Sequence, residues 1–155
     1  MSVSPIPDGY PRVCPYLHIA GAGAAIDFYT EIFGAAERVR MAGPDGKIGH
    51  AELEIGDSVV MLADEYPELG VRGPRTFGGS PVALSIYVAD VDATIARAVE
   101  AGATLIRPVE DRFYGDRLGQ IEDPFGHVWS VQTHIEDVSP EEMQRRAAAA
   151  AAAVD

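Results

Sequence analysis

The chain has 155 residues, 47% of them apolar, and 24 acidic against 12 basic side chains leave a net charge of −12. That length allows one domain, or two half-domains sharing a core. The acidity excludes a nucleic-acid partner, because phosphate binding needs a basic face, and it suits a small cationic ligand.

Residues 1–12 form a polar, proline-rich arm without the basic and apolar segments of a signal peptide. A first module follows over 13–63. Val13 to Ile19 reads as a strand and carries Cys14, whose solitary thiol suits a reducing, cytoplasmic location. A glycine-rich stretch, Ala20 to Ala25, enters a helix with the apolar stripe Ile26, Tyr29 and Phe33, with Ile32 a further candidate, and Gly34 ends it. Glu37 to Ala42 is a strand, and Gly43-Pro44-Asp45-Gly46 is a turn in which proline presets φ and glycine takes positive φ. Lys47 to Ile55 alternates, with Ala51, Leu53 and Ile55 on one face and His50, Glu52 and Glu54 on the other. Gly56-Asp57 turns the chain into Ser58 to Ala63, apolar throughout and expected to be buried on both faces.

Residues 64–81 hold four glycines and three prolines and read as an irregular linker, with Tyr66 and Phe77 available to cover a ligand. The second module spans 82–134. Val82 to Val88 is its first strand. Asp90 or Asp92 caps the next helix, with Ile95, Ala98, Val99 and Ala101 inward and Gly102 at its end. Thr104 to Phe113, Gly115 to Glu122 and His127 to Thr133 are three more strands. In the tail, 135–155, Ser139-Pro140-Glu141-Glu142 is a capping box opening an alanine-rich helix. That helix is either a frayed surface element or a clasp on a partner subunit. No apolar run apart from alanine is long enough to span a bilayer, so no membrane partner is expected.

The two modules repeat one grammar. Ile26 to Glu37 finds its echo in Thr94 to Leu105 about 68 residues later, and Gly49-His50-Ala51-Glu52 in Gly119-Gln120-Ile121-Glu122 about 70 residues later. Each half is β-α-β-β-β. The expected class is therefore α+β: two βαβββ modules forming a partly open mixed β-barrel with a central cleft and the helices outside.

Three segments carry a resemblance: Ala25-Ile26-Asp27-Phe28-Tyr29, Tyr87-Val88-Ala89-Asp90-Val91-Asp92-Ala93 and Asp123-Pro124-Phe125-Gly126-His127-Val128-Trp129. With them the chain resembles the vicinal-oxygen-chelate superfamily of glyoxalase I, bleomycin-resistance proteins and extradiol dioxygenases, and Asp111-Arg112-Phe113-Tyr114-Gly115-Asp116-Arg117 with the strand Gly49-His50-Ala51-Glu52-Leu53 resembles its PhnB-like branch. The resemblance implies a divalent metal held by two ligands from each module, and often a homodimer. Carried over residue by residue, those ligand positions fall on Cys14, on Met61 (or on Val60 or Leu62 if the turn shifts the register), near Ala83 and on Ser130. Such a set does not suit a hard divalent ion, so no cofactor and no metal ligand are expected.

The candidate ligand-binding residues are His18, His50, Glu52, Tyr87, Tyr114 and Arg117. His18 shares the face of Cys14 and Tyr16; Tyr87 shares that of Ala83 and Ser85. Phe113, Tyr114, Asp116 and Arg117 cluster at one hairpin, as a ligand grip or as a surface ion pair. Trp129 is assigned to the core and His127 to a structural role. The first functional reading is a protein that binds a small organic molecule, cationic or hydrogen-bonding, without catalysis. The second is a glyoxalase-type lyase, isomerase or epimerase, using a relocated divalent metal or His50 and Glu52 as an acid–base pair, with Arg117 or Arg40 stabilising an enolate.

Overall fold

The computed structural model describes residues 3–153. The chain divides into two compact units, with the boundary between Ser80 and Pro81.

In the first unit, β1 (Tyr16–Ile19) leads through α1 (Ala22–Phe33) to β2 (Ala36–Ala42), β3 (Ile48–Ile55) and β4 (Ser58–Asp64). The sheet is open and four-stranded, in the order β1-β4-β3-β2, with β1 parallel to β4 and the other pairs antiparallel. Its register sets Leu17 beside Leu62, Leu62 opposite Ala51, and Leu53 opposite Val60. These five side chains form the buried face of the sheet, on which α1 lays Ile26, Tyr29 and Ile32. Burial of each large member contributes about 1.5–3 kcal/mol.

No side chain within α1 caps its N-terminus. Instead the Asp64 carboxylate, at the end of β4, reaches across. Its Oδ1 accepts from the N–H groups of Gly21 (3.0 Å) and Ala22 (2.9 Å), while Oδ2 accepts from Ile48 N–H (2.7 Å). A negative charge there also complements the helix dipole. Gly34, at φ 67°, closes the other end as expected.

The segment 64–81 is more ordered than its composition suggests. It contains a 3-10 turn, Pro67–Leu69, and the four-residue α2 (Pro74–Phe77). Each starts on proline and stops on a left-handed glycine, Gly70 or Gly78, so the residues that break long elements here bound short ones. Glu65 accepts from Gly73 N–H and from the Thr76 hydroxyl, which pins the segment back on itself.

The second unit repeats the plan: β5 (Ala83–Tyr87), α3 (Val91–Glu100), β6 (Thr104–Asp111), β7 (Asp116–Glu122) and β8 (Val128–His134), in an open sheet ordered β5-β8-β7-β6. Asp90, the nearer of the two candidate caps, accepts from Ala93 N–H at 2.9 Å. Val91, Thr94, Ile95 and Ala98 are the buried residues of α3. Val99 and Ala101, expected inward, are exposed, because the buried stripe starts at Val91, a turn earlier.

Asp123 is the hub of the second unit. Almost fully buried, it accepts from the N–H groups of Phe125 (2.9 Å) and His127 (3.0 Å) and from the Trp129 indole (2.9 Å). Trp129 is thereby core, and the buried His127 belongs to the turn. The last element, α4 (Pro140–Ala152), is capped by the Ser139 hydroxyl, which accepts from Glu142 N–H at 3.3 Å. Arg146 ties α4 down through Glu136 at 2.8 Å, and Glu142, one turn earlier on the same helix, accepts from it at 2.7 Å.

Candidate functional site

The face of the first sheet opposite α1 is polar. Period-two alternation brings Tyr16 and His18 to it from β1, Met61 from β4, and His50 and Glu52 from β3. The Tyr16 hydroxyl lies 2.9 Å from His50 Nδ1, and His50 Nε2 lies 3.1 Å from Glu52 Oε1. An ionised carboxylate can only accept, so Nε2 carries the proton; in the neutral ring Nδ1 then accepts from Tyr16. Tyr10, from the N-terminal arm, donates to Glu52 Oε2 at 2.8 Å. The Arg38 guanidinium lies over the Tyr10 ring, 4.5 Å from its centroid, and donates to the Gly9 carbonyl at 3.0 Å. The Tyr16 ring tilts between His18 and His50, with centroids at 5.3 and 5.6 Å.

The result is a chain from an aromatic pair to a buried carboxylate. Burial pushes the Glu52 carboxyl up, but the hydrogen bonds from Tyr10 and His50, with the charges of His50 and Arg38, outweigh it and hold it below the usual carboxylate range. The same charge acts on the phenols. The bond to Glu52, then burial, pushes Tyr10 up, and burial followed by Glu52 pushes Tyr16 up. Near neutral pH the carboxylate is charged and both phenols keep their protons.

In the second unit the face opposite α3 carries Tyr87, Asp116 and His134. Tyr87 donates to Asp116 Oδ2 at 2.9 Å. His134 Nδ1 lies 2.8 Å from Asp116 Oδ1, and its Nε2 lies 3.0 Å from Asp137 Oδ1. These bonds, to Asp137 first and then to Asp116, push the His134 imidazole up. Beside them runs a neutral ladder: Gln132 donates to Ser85 and Gln120 to Ser130, each at 2.8 Å.

Of the expected residues, the structure brings His18, His50 and Glu52 together and sets Tyr87 on the corresponding face of its own unit. Tyr114 lies in the β6–β7 turn, its ring edge-on to Phe113 at 5.2 Å. Arg117, offered as part of a ligand grip or of a surface ion pair, lies on the α3 face, opposite Thr133. Its fork grips Asp92 at 2.7 and 2.9 Å and Asp111 at 2.8 Å, fastening the start of α3 to β6 and β7. Arg40, the other candidate for an enolate, pairs with Glu37 at 2.6 Å. The Tyr66 ring lies beneath Lys47 Nζ, 4.9 Å from its centroid, and Phe77 is largely exposed.

Sequence reasoning missed Tyr10, because an isolated aromatic in a proline-rich arm shows no period. It also missed the pairing of Asp116 with His134, which are 18 residues apart and meet only through the β7–β8 register.

The donor set at the implied metal positions does not fit a divalent ion. Cys14 precedes β1 and points its thiol at the Pro11 carbonyl, 3.5 Å away. Met61 offers a thioether, Ala83 a methyl group, and Ser130 a hydroxyl that already accepts from Gln120. Among the described residues, no three His, Cys, Asp or Glu side chains gather in a metal-binding group.

The model of the glyoxalase/bleomycin resistance protein/dioxygenase superfamily matches residues 19–131. An uncharacterized protein of Mycobacterium bovis is 44% identical over 137 residues, covering 86% of this chain and 90% of that one. Among solved structures, the PhnB protein of Bacillus cereus superposes with a TM-score of 0.65 at 17% identity, covering 79% of this chain and 99% of that one. The fosfomycin resistance protein FosX of Listeria monocytogenes, solved with manganese(II) and sulfate, superposes with a TM-score of 0.62 at 16% identity, covering 88% and 96%. The extent of the family match and the two βαβββ modules agree, and the chain belongs to the glyoxalase/bleomycin resistance protein/dioxygenase superfamily.

Proposed function

We propose that the protein binds a small organic molecule, cationic or rich in hydrogen-bond donors, on the polar face of its first module and without a metal. The observation that carries this reading is Glu52: a buried carboxylate held ionised by Tyr10 and His50, beside the rings of Tyr16 and His18. Each carboxylate oxygen uses one acceptor position for these bonds and keeps another for a ligand. Aromatic walls with a few fixed polar groups are the usual make-up of a small-molecule site. The net charge of −12 draws cations toward it.

The test is calorimetric titration with organic ammonium and guanidinium compounds against neutral molecules of the same shape. The reading expects a preference for the cations that Glu52→Gln removes. Equal affinity for charged and neutral partners, or a preference that survives Glu52→Gln, overturns it.

A second reading is favoured by the 3.1 Å contact between His50 and Glu52, which orients the imidazole as a general base for a proton beside a carbonyl. It expects exchange of such a proton with solvent deuterium, lost in His50→Gln. The proposal takes the protein as a cytoplasmic homodimer. The single cysteine supports that location. Among the described residues, no helix is long and apolar enough to cross a membrane. Light scattering on the full chain tests the dimer.

A further inference from the structure

We infer that Tyr10 is a built-in occupant of the Glu52 site, and that the group which replaces it is an aromatic ring bearing a hydroxyl donor. This inference rests on the binding role proposed for that site and names the class of molecule the site selects.

Three contacts define the niche. At one end, Glu52 Oε2 takes the phenol proton at 2.8 Å. Above the ring, the Arg38 guanidinium lies 4.5 Å from its centroid. At the arm's backbone, the same guanidinium holds the Gly9 carbonyl at 3.0 Å. Glu52 is thus met by an acceptor-seeking hydroxyl on a flat ring, and the ring is held by a flat cation.

The arm itself is poorly anchored. Residues 3–9 are exposed and have no regular secondary structure, and Tyr10 and Pro11 are half-buried. Tyr10 is therefore a strap, fastened by Arg38, that a ligand can lift. Glu52 and Arg38 belong to strands of the sheet, so their backbone positions do not depend on the arm. The vacated niche then offers a carboxylate at its end and a guanidinium over its face. A hydroxyl donor on a ring meets both. An aliphatic ammonium meets only the carboxylate.

An internal competitor lowers apparent affinity by the fraction of molecules in which the niche is open. Removing it should therefore tighten the binding of any molecule that mimics it. The probe is 4-methylphenol, the tyrosine side chain as a free molecule, with toluene as the control that lacks only the donor. Calorimetric titration of the full chain is expected to show Tyr10→Gly binding 4-methylphenol at least about tenfold more tightly than the wild type does. The same variant should prefer it about tenfold over toluene, the loss expected for one hydrogen bond to a charged group. Tyr10→Gly/Glu52→Gln should lose that preference.

If Tyr10→Gly is poorly folded, Arg38→Ala gives a second reading. It leaves the arm's sequence intact, removes the strap, and should raise the rate of trypsin cleavage after Arg12 several-fold. Equal affinity of wild type and Tyr10→Gly for 4-methylphenol, no preference over toluene, or unchanged cleavage in Arg38→Ala overturns the inference. The binding role itself is judged separately, by the cation preference of the wild type and its loss in Glu52→Gln.

Discussion

The Tyr16 hydroxyl and His50 Nδ1 lie 2.9 Å apart although 34 residues separate them in sequence. The contact exists because β1 and β3 flank β4, so that Tyr16 and Glu52 both fall beside Met61, with His50 two residues from Glu52 on the same face. It links the aromatic part of the candidate site to its charged part, and Glu52 governs the charge of the whole group.

Glu52 makes stability depend on pH. Its folded carboxyl titrates below its unfolded value. Its contribution is therefore fully present above the ordinary glutamate range and is lost as pH falls through the lowered folded value. Melting temperatures from pH 7 to pH 3 should converge between wild type and Glu52→Gln toward the acid end. A constant difference across that range would show that the Glu52 charge is not stabilised in the fold.

His134 acts in the opposite direction. Hydrogen bonds to Asp137 and Asp116 raise its folded value, so the imidazolium's contribution is fully present below about pH 6 and is lost as pH rises through that raised value. The groups facing it are Asp116, Asp137 and, through Asp116, Tyr87. His134→Gln should lose stability relative to wild type at pH 5.5 and match it more closely at pH 9, as read by urea denaturation.

Gly115 is required by its backbone. It sits at φ 100°, and an added Cβ would run into the Glu136 carbonyl oxygen, which belongs to the chain that brings α4 back to the β6–β7 turn. Both Ile135 and Glu136 donate to the Gly115 carbonyl, which fastens the segment after β8 to the β6–β7 turn. Gly115→Ala should cost about 3 kcal/mol or more, and denaturant titration with an unchanged m-value checks it.

Asp64 should be as important as any core side chain. Asp64→Ala leaves the N–H groups of Gly21, Ala22 and Ile48 without their acceptor, at about 1–3 kcal/mol for each that stays dry. A loss of about 3–5 kcal/mol is expected, with Asp64→Asn losing less because its amide oxygen still accepts. Equal losses in the two variants would assign the effect to charge alone.

Much of this molecule follows from local rules. The alternation of His50, Ala51, Glu52 and Leu53, the stop at Gly34, the capping box at Ser139 and the core position of Trp129 are all properties of a few consecutive residues, and the twofold repeat is one such local pattern written twice. Period and capping act over one or two turns, so the chain's order alone determines them. The repeat in turn determines two βαβββ units, each with one polar and one apolar sheet face.

What the tertiary structure decided is which polar groups meet. Strand order places Tyr16 next to His50, sends Asp64 to the start of α1, and engages Arg117 with Asp92 and Asp111 on the helix side. Tyr10 reaches Glu52 across 42 residues from an arm with no pattern to announce it. These pairings depend on register, and a shift of one residue would turn every side chain of a strand to the other face. The residue types were legible in the sequence; their partners required the sheet.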